Sequence, residues 1–203
     1  MKTIFFDFGN VIGHFDHFRA VSQMAPFTPI APIALEKILY GGPEEDAYEA
    51  GRISTAEYVK FALRAGQIDL PPERFLHFFA DIFTPNPDVC DLIPVLAKRY
   101  RLVLASNTND AHYRKYSVQF ERELSYFSVR CPSHEIGFRK PHPDYFVATH
   151  REANAEPYEC LFVDDIVHNT AAAEQSVGWK GLLYRPGDIL ADKLRAFGVE
   201  VGG

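Results

Sequence analysis

Between residues 101 and 185 the chain sets short apolar runs against helix-like segments in regular alternation. The runs "RLVLAS" (101–106), "YFSVRC" (126–131), "CLFVDD" (160–165) and "KGLLYR" (180–185) read as strands, rich in β-branched and aromatic residues. Residues 109–123, "PDYFVATHREAN" (143–154) and "HNTAAAEQSVG" (168–178) read as the helices between them. "DVCDLIPVLAKRY" (88–100) reads as a helix before the series, and 188–197 as one after it. Strands joined through helices return by right-handed crossovers and pair in parallel. Near-continuous apolar strands such as "LVLA" and "LFV" suit a sheet covered on both faces. An opening strand, "TIFFDF" (3–8), closes at Gly9-Asn10 and joins the same sheet.

Residues 15–83 have another character, with helix-like segments and no convincing strand between them. Start signals punctuate them: Pro32 before "IALEKIL", Ser54 with Glu57 three residues on, and Pro72 before "ERFLHFF". The expected architecture is an α/β core, residues 1–14 and 84–203, with helices on both faces of a Rossmann-like parallel sheet. An all-helical cap, residues 15–83, is inserted after the first strand.

Parallel sheets bind ligands at the carboxyl ends of their strands. After "IFF" stands Asp7, after "LVLA" Ser106-Asn107-Thr108-Asn109, and after "LFV" the pair Asp164-Asp165; Lys140 lies in the loop "GFRKPHPD". Each has a plain structural reading, as a turn, a helix cap or a loop lysine. Together they form a kit for phosphoryl transfer. A carboxylate nucleophile facing a phosphate needs a nearby cation; paired aspartates hold Mg²⁺ through hard oxygens. A strand-end Ser with the backbone N–H groups after it cradles phosphate, and a Lys adds compact positive charge.

The formal charge of −6 argues against nucleic acid or an anionic membrane surface as partner. Three widely spaced cysteines suit a reducing compartment. No apolar run is long enough for a membrane span, and "MKTIFF" runs straight into Asp7, so a cytoplasmic protein is expected. "CPSH" (131–134) has no partner at zinc-site spacing. Oligomeric state, monomer or dimer, is open.

These motifs, in this order, resemble the haloacid dehalogenase superfamily, in its helical-cap (IA-like) subfamily. "FFDFGNVI" matches its first motif, "LASNTN" the second, "GFRKPHPDYF" the third, and "LFVDDIVHNTAAAEQSVG" the fourth, with Asn169 four residues past the acidic pair. The resemblance implies an Mg²⁺-dependent phosphatase of a small phosphorylated metabolite working through an aspartyl-phosphate. It makes Asp7 the nucleophile and a metal ligand, with the carbonyl of Gly9 and the carboxylate of Asp165 as further ligands. Asp164 is a ligand or stands behind one. Ser106 and Asn107 bind the phosphoryl group, and Lys140 neutralises its charge and orients Asp7.

One departure matters. Most phosphatases of the family carry a second Asp, a general acid and base, where this chain has Gly9. Losing such an acid costs roughly 10²–10⁴-fold when the leaving group needs a proton. An anomeric sugar oxygen needs it less, and "DFGNVI" resembles a branch that includes a phosphatase of glucose 1-phosphate. His14, Asp16 and His17 are candidate surrogates; His134, His142, Arg19 and Arg52 read as surface. Two alternatives stand beside the phosphatase: a catalytically weak binding protein, suggested by Gly9, and a metal-independent 2-haloacid dehalogenase, disfavoured by the acidic pair.

Overall fold

The computed structural model describes residues 1–153 and 155–202. Among the described residues there are seven strands: β1 (Thr3–Phe6), β2 (Gly13–Phe15), β3 (Phe83–Pro85), β4 (Arg101–Ser106), β5 (Val129–Pro132), β6 (Cys160–Asp164) and β7 (Lys180–Leu183). Five form one sheet in the order β5-β4-β1-β6-β7, every pair parallel. β1 is central because its four residues are all buried and leave no polar edge to water. Its register, Phe6 opposite Leu104 on one side and Val163 on the other, brings the ends of β4, β1 and β6 level. The chain order reverses across β1, which makes a ligand crevice at these three carboxyl ends.

Alternate residues feed two cores. Ile4, Phe6, Leu102, Leu104, Leu161 and Val163 face one way. Phe5, Val103, Ala105 and Phe162 face the other, where Trp179 stacks on Phe5 with ring centroids 3.8 Å apart. Burying one such ring contributes roughly 1.5–3 kcal/mol.

Between β2 and β3 lie five α-helices and one short 3-10 turn, Ala25–Phe27: α1 (His17–Met24), α2 (Pro32–Leu39), α3 (Pro43–Glu49), α4 (Thr55–Ala65) and α5 (Pro72–Ala80). Ser54 and Glu57 cap α4 reciprocally, as their spacing predicts. The sequence reading has no strand here, yet β2 and β3 pair antiparallel at the two ends of the helical stretch, His14 opposite Thr84. Three residues are too few to show a period.

Beyond β3 run α6 (Pro87–Cys90), α7 (Ile93–Leu96), α8 (Asp110–Gln119), α9 (Glu121–Leu124), α10 (Ser133–Ile136), α11 (Pro143–Ala153), α12 (Val167–Val177) and α13 (Leu190–Ala196). The single helix expected over 88–100 is two short ones. Pro94 has no N–H to give the carbonyl of Cys90, so the helix breaks before it. The helix read over 143–154 is present to Ala153; Asn154 lies outside the described residues. Among the described residues no helix is long and apolar enough to cross a membrane.

Candidate active site

Asp7 follows the last residue of β1, and its backbone N–H donates to the carbonyl of Val163 at 2.9 Å, so β6 holds it in place. Its Oδ1 accepts the N–H of Phe8 at 2.7 Å and lies 2.8 Å from the Lys140 ammonium. The same ammonium donates to Asp164 Oδ2 at 2.7 Å. Lys140 is thus a wholly buried bridge between the ends of β1 and β6. The Asn107 side chain holds it there in both senses: its Nδ2 donates to the Lys140 carbonyl at 2.9 Å, and its Oδ1 accepts the Lys140 N–H at 2.8 Å.

Asp164 is enclosed by donors. Its Oδ1 accepts the N–H of Ile166 (2.8 Å) and Nδ2 of Asn169 (3.0 Å), and Asn169 also reaches Oδ2. Asp165 is more open and takes Nδ2 of Asn10 at 3.1 Å. Asn10 adopts φ +54°, a left-handed conformation that Asn tolerates better than most residues, and the turn aims its amide at β6. Ser106 closes β4 beside them; α8 takes its cap from Asn109, whose Oδ1 accepts the His112 N–H at 3.0 Å. Ser106 is thereby relieved of capping.

Carboxylate oxygens of Asp7, Asp164 and Asp165 lie within 4.8 Å of one another. Burial pushes the Asp7 carboxyl up to about 7, Lys140 opposes it, and Asp164 and Asp165 add to it. Burial also raises Asp165. Burial alone would lower the Lys140 ammonium, but Asp164 and Asp7 outweigh it and raise it. Three carboxylates face one ammonium, and the excess negative charge fits a divalent cation held by hard oxygens. Asp7, Asn10, Ser106, Asn107, Lys140, Asp165 and Asn169, but not the enclosed Asp164, line a cavity of about 300 Å³ that also reaches Phe15, His17, Glu45 and Glu49.

A model of the haloacid dehalogenase-like hydrolases matches residues 1–176 of the chain. The chain belongs to that family. A D-ribitol-5-phosphate phosphatase of Bacteroides thetaiotaomicron is 29% identical over 175 residues, 81% of this chain and 83% of the relative. Two solved structures show the same fold. One is a predicted haloacid dehalogenase-like hydrolase from Porphyromonas gingivalis, with TM-score 0.83, 24% identity and 98% of each chain covered. The other is a haloacid dehalogenase family enzyme from B. thetaiotaomicron in complex with magnesium and inorganic phosphate. It has TM-score 0.78 and 22% identity, with 93% of this chain and 96% of that one covered.

In this hydrolase, position 9 is more than a missing carboxylate. A Cβ built there would stand 3.1 Å from the Phe15 ring, so Phe15 crowds the place a side chain would leave by. Of the candidate surrogates only His17 lines the cavity. Its ring stacks on Tyr40 at 3.7 Å, and burial pulls it down to about 4, so it is neutral near pH 7. Asp16 caps α1 through the Phe18 N–H. His142 is exposed and its Nδ1 accepts the Asp144 N–H, His134 contacts the Thr108 carbonyl, and Arg19 pairs with Asp81. The sequence reading overlooked Asn10, Glu45, Glu49 and Arg139. Arg139 pairs with Asp46 and with Glu49 (2.7 Å), tying α3 to the loop that carries Lys140.

Proposed function

We propose that this hydrolase is an Mg²⁺-dependent phosphatase of a small phosphorylated metabolite, a sugar or polyol phosphate, acting through an aspartyl-phosphate on Asp7. The observation that carries this reading is the Lys140 bridge. One buried ammonium orients Asp7 Oδ1 while Asp164 fixes the ammonium in turn. Oδ2 of Asp7 has no protein partner among the described residues and is the attacking oxygen.

Ser106 Oγ and the backbone N–H of Asn107 would take the phosphoryl oxygens, since the Asn107 side chain is committed to Lys140. Asp7, the Gly9 carbonyl and Asp165 would hold the ion, with Asp164 behind them. When bound, the ion cancels charge as the phosphoryl group approaches the carboxylates. Helices α1–α5, in residues 15–83, would act as the cap that closes over the substrate. A relative acting on D-ribitol 5-phosphate supports a polyol or sugar ester of this size. A dehalogenase would bring a carboxylate substrate against three aspartates with one ammonium to meet them, which the charges oppose.

The test is hydrolysis of an aryl phosphate and of sugar 1- and 6-phosphates by the purified chain. Turnover is expected to need Mg²⁺, to stop with EDTA and to vanish in Asp7→Asn. A binding protein without turnover, the reading that Gly9 favours, would hydrolyse none of them. Halide release from a 2-haloacid in EDTA would establish the dehalogenase instead.

A further inference from the structure

Glu45 sits in the first turn of α3 and is 8% exposed, yet its side chain lines the cavity shared with Asp7, Ser106 and Lys140. Its Oε2 accepts the backbone N–H of Gly41. No ion pair reaches it among the described residues, and its other oxygen, Oε1, has no protein donor there. Beside it and the nucleophile Asp7, the Tyr116 hydroxyl also lacks a partner among the described residues, but burial holds that phenol well above its ordinary range, and the remaining acids and histidines of the cavity wall are engaged. Glu49 is bound to Arg139. His112 has both ring nitrogens engaged, by Asn109 and the Phe79 carbonyl. His17 is stacked on Tyr40, and Asp165 is held by Asn10.

We propose that Glu45 is the proton donor and acceptor of the reaction, working from α3 across the cavity in place of the carboxylate that position 9 lacks. The proposal rests on the phosphatase reading above. Because Oε2 must accept from Gly41, the acid proton resides on Oε1, the oxygen with no protein donor among the described residues.

The steps balance. Asp7 Oδ2 bonds to phosphorus as the ester P–O bond breaks, and the Oε1 proton passes to the departing oxygen, releasing the alcohol. A water then attacks phosphorus and gives its proton to Glu45. The Asp7–phosphorus bond breaks, and inorganic phosphate leaves with both carboxyl groups restored.

The surroundings keep the acid form available. Burial is the largest influence and Glu49 the next, and together with Asp46 they push the Glu45 carboxyl up to about 8 against Gly41 N–H and Arg139. Tyr40 and Tyr58 also face it, from the end of α2 and from α4, and both stay neutral. A general acid poised just above neutral pH is well matched to proton transfer. Glu45 also has a structural task, since a third-position Glu reaching back to a backbone N–H secures the start of a helix. Glu45→Gln keeps an acceptor for Gly41 and removes the acid, which separates the two roles.

The experiment compares wild type with Glu45→Gln, each with Mg²⁺, on 4-nitrophenyl phosphate and on a polyol or hexose phosphate with a primary-alcohol leaving group. In the variant, kcat on the alkyl ester is expected to fall by roughly 10²–10⁴-fold. The alkaline limb of its pH profile, near 8 in wild type, is expected to disappear. The first-turnover burst of nitrophenolate should slow far less, because that leaving group needs no proton, and the thermal midpoint should not fall. Equal losses on both esters, an unchanged alkyl rate, or a loss that tracks a fallen midpoint overturns the proposal and leaves the phosphatase reading intact. Wild type that gives neither burst nor turnover overturns both.

Discussion

Lys140 has no exposed side-chain surface and meets two carboxylates at 2.7 and 2.8 Å. Removing one member of a buried ion cluster is costly, because the others stay behind unpaired. Lys140→Met should therefore lower the free energy of unfolding by about 3–5 kcal/mol and abolish turnover, since Asp7, already raised by burial, would be driven further toward its uncharged form. Urea denaturation with and without Mg²⁺ measures this; an unchanged midpoint would show that the bridge is not formed in solution. Asp7, Ser106, Lys140, Asp164 and Asp165 were legible in the sequence because apolar runs end at four of them and a Pro-rich loop presents the fifth. Glu45 was not. It lies in the charged run "EEDAYEAG", which reads as a solvated helix face, and only the packing of α3 with α4 and α10 buries it. Phe15 was likewise silent: nothing local says that its ring lies against Gly9.

The elements follow their local signals except where packing or length overrides them. The strand order itself needs tertiary information, but parallel pairing with helices on both faces does not. Pro94 splits a helix that the surrounding apolar pattern would have continued. β2 and β3 are too short for periodicity, and each is stabilised by the other. The approach of α3 to the core depends on one backbone position. Gly51 has φ +65°, and a Cβ there would overlap the carbonyl oxygen of His134 in α10. Ser133 Oγ donates to the Glu49 carbonyl at 2.6 Å beside it, so the two elements cannot separate without losing this bond and the Arg139 pairs. Gly51→Ala is expected to cost more than about 1 kcal/mol of stability and to reduce turnover by moving Glu45 and Glu49 away from the cavity. Urea unfolding together with the steady-state rate reports both; a variant as stable and as active as wild type would mean that this contact does not set the position of α3.

At the scale of the whole molecule, the sheet supplies Asp7 and its charge balance, and the stretch that holds the five helices supplies the opposite wall of the cavity. Asp7, Ser106, Lys140 and Asp165 come from the carboxyl edge of the sheet, while Phe15, His17, Glu45 and Glu49 come from the stretch between its first two strands. Under the phosphatase reading proposed above, such a division would hold one chemistry constant while the far wall selects the ester, and the motifs would speak for the reaction and not for the substrate. The most direct test of this account is to trap the acyl-phosphate. The chain is mixed with Mg²⁺ and a 4-nitrophenyl phosphate excess, quenched within the first turnover, and reduced with borohydride before peptide mass spectrometry. Reduction of the Asp7 side chain to an alcohol, dependent on substrate and absent in Asp7→Asn, is the predicted result; phosphate release with Asp7 unreduced at every quench time would contradict it.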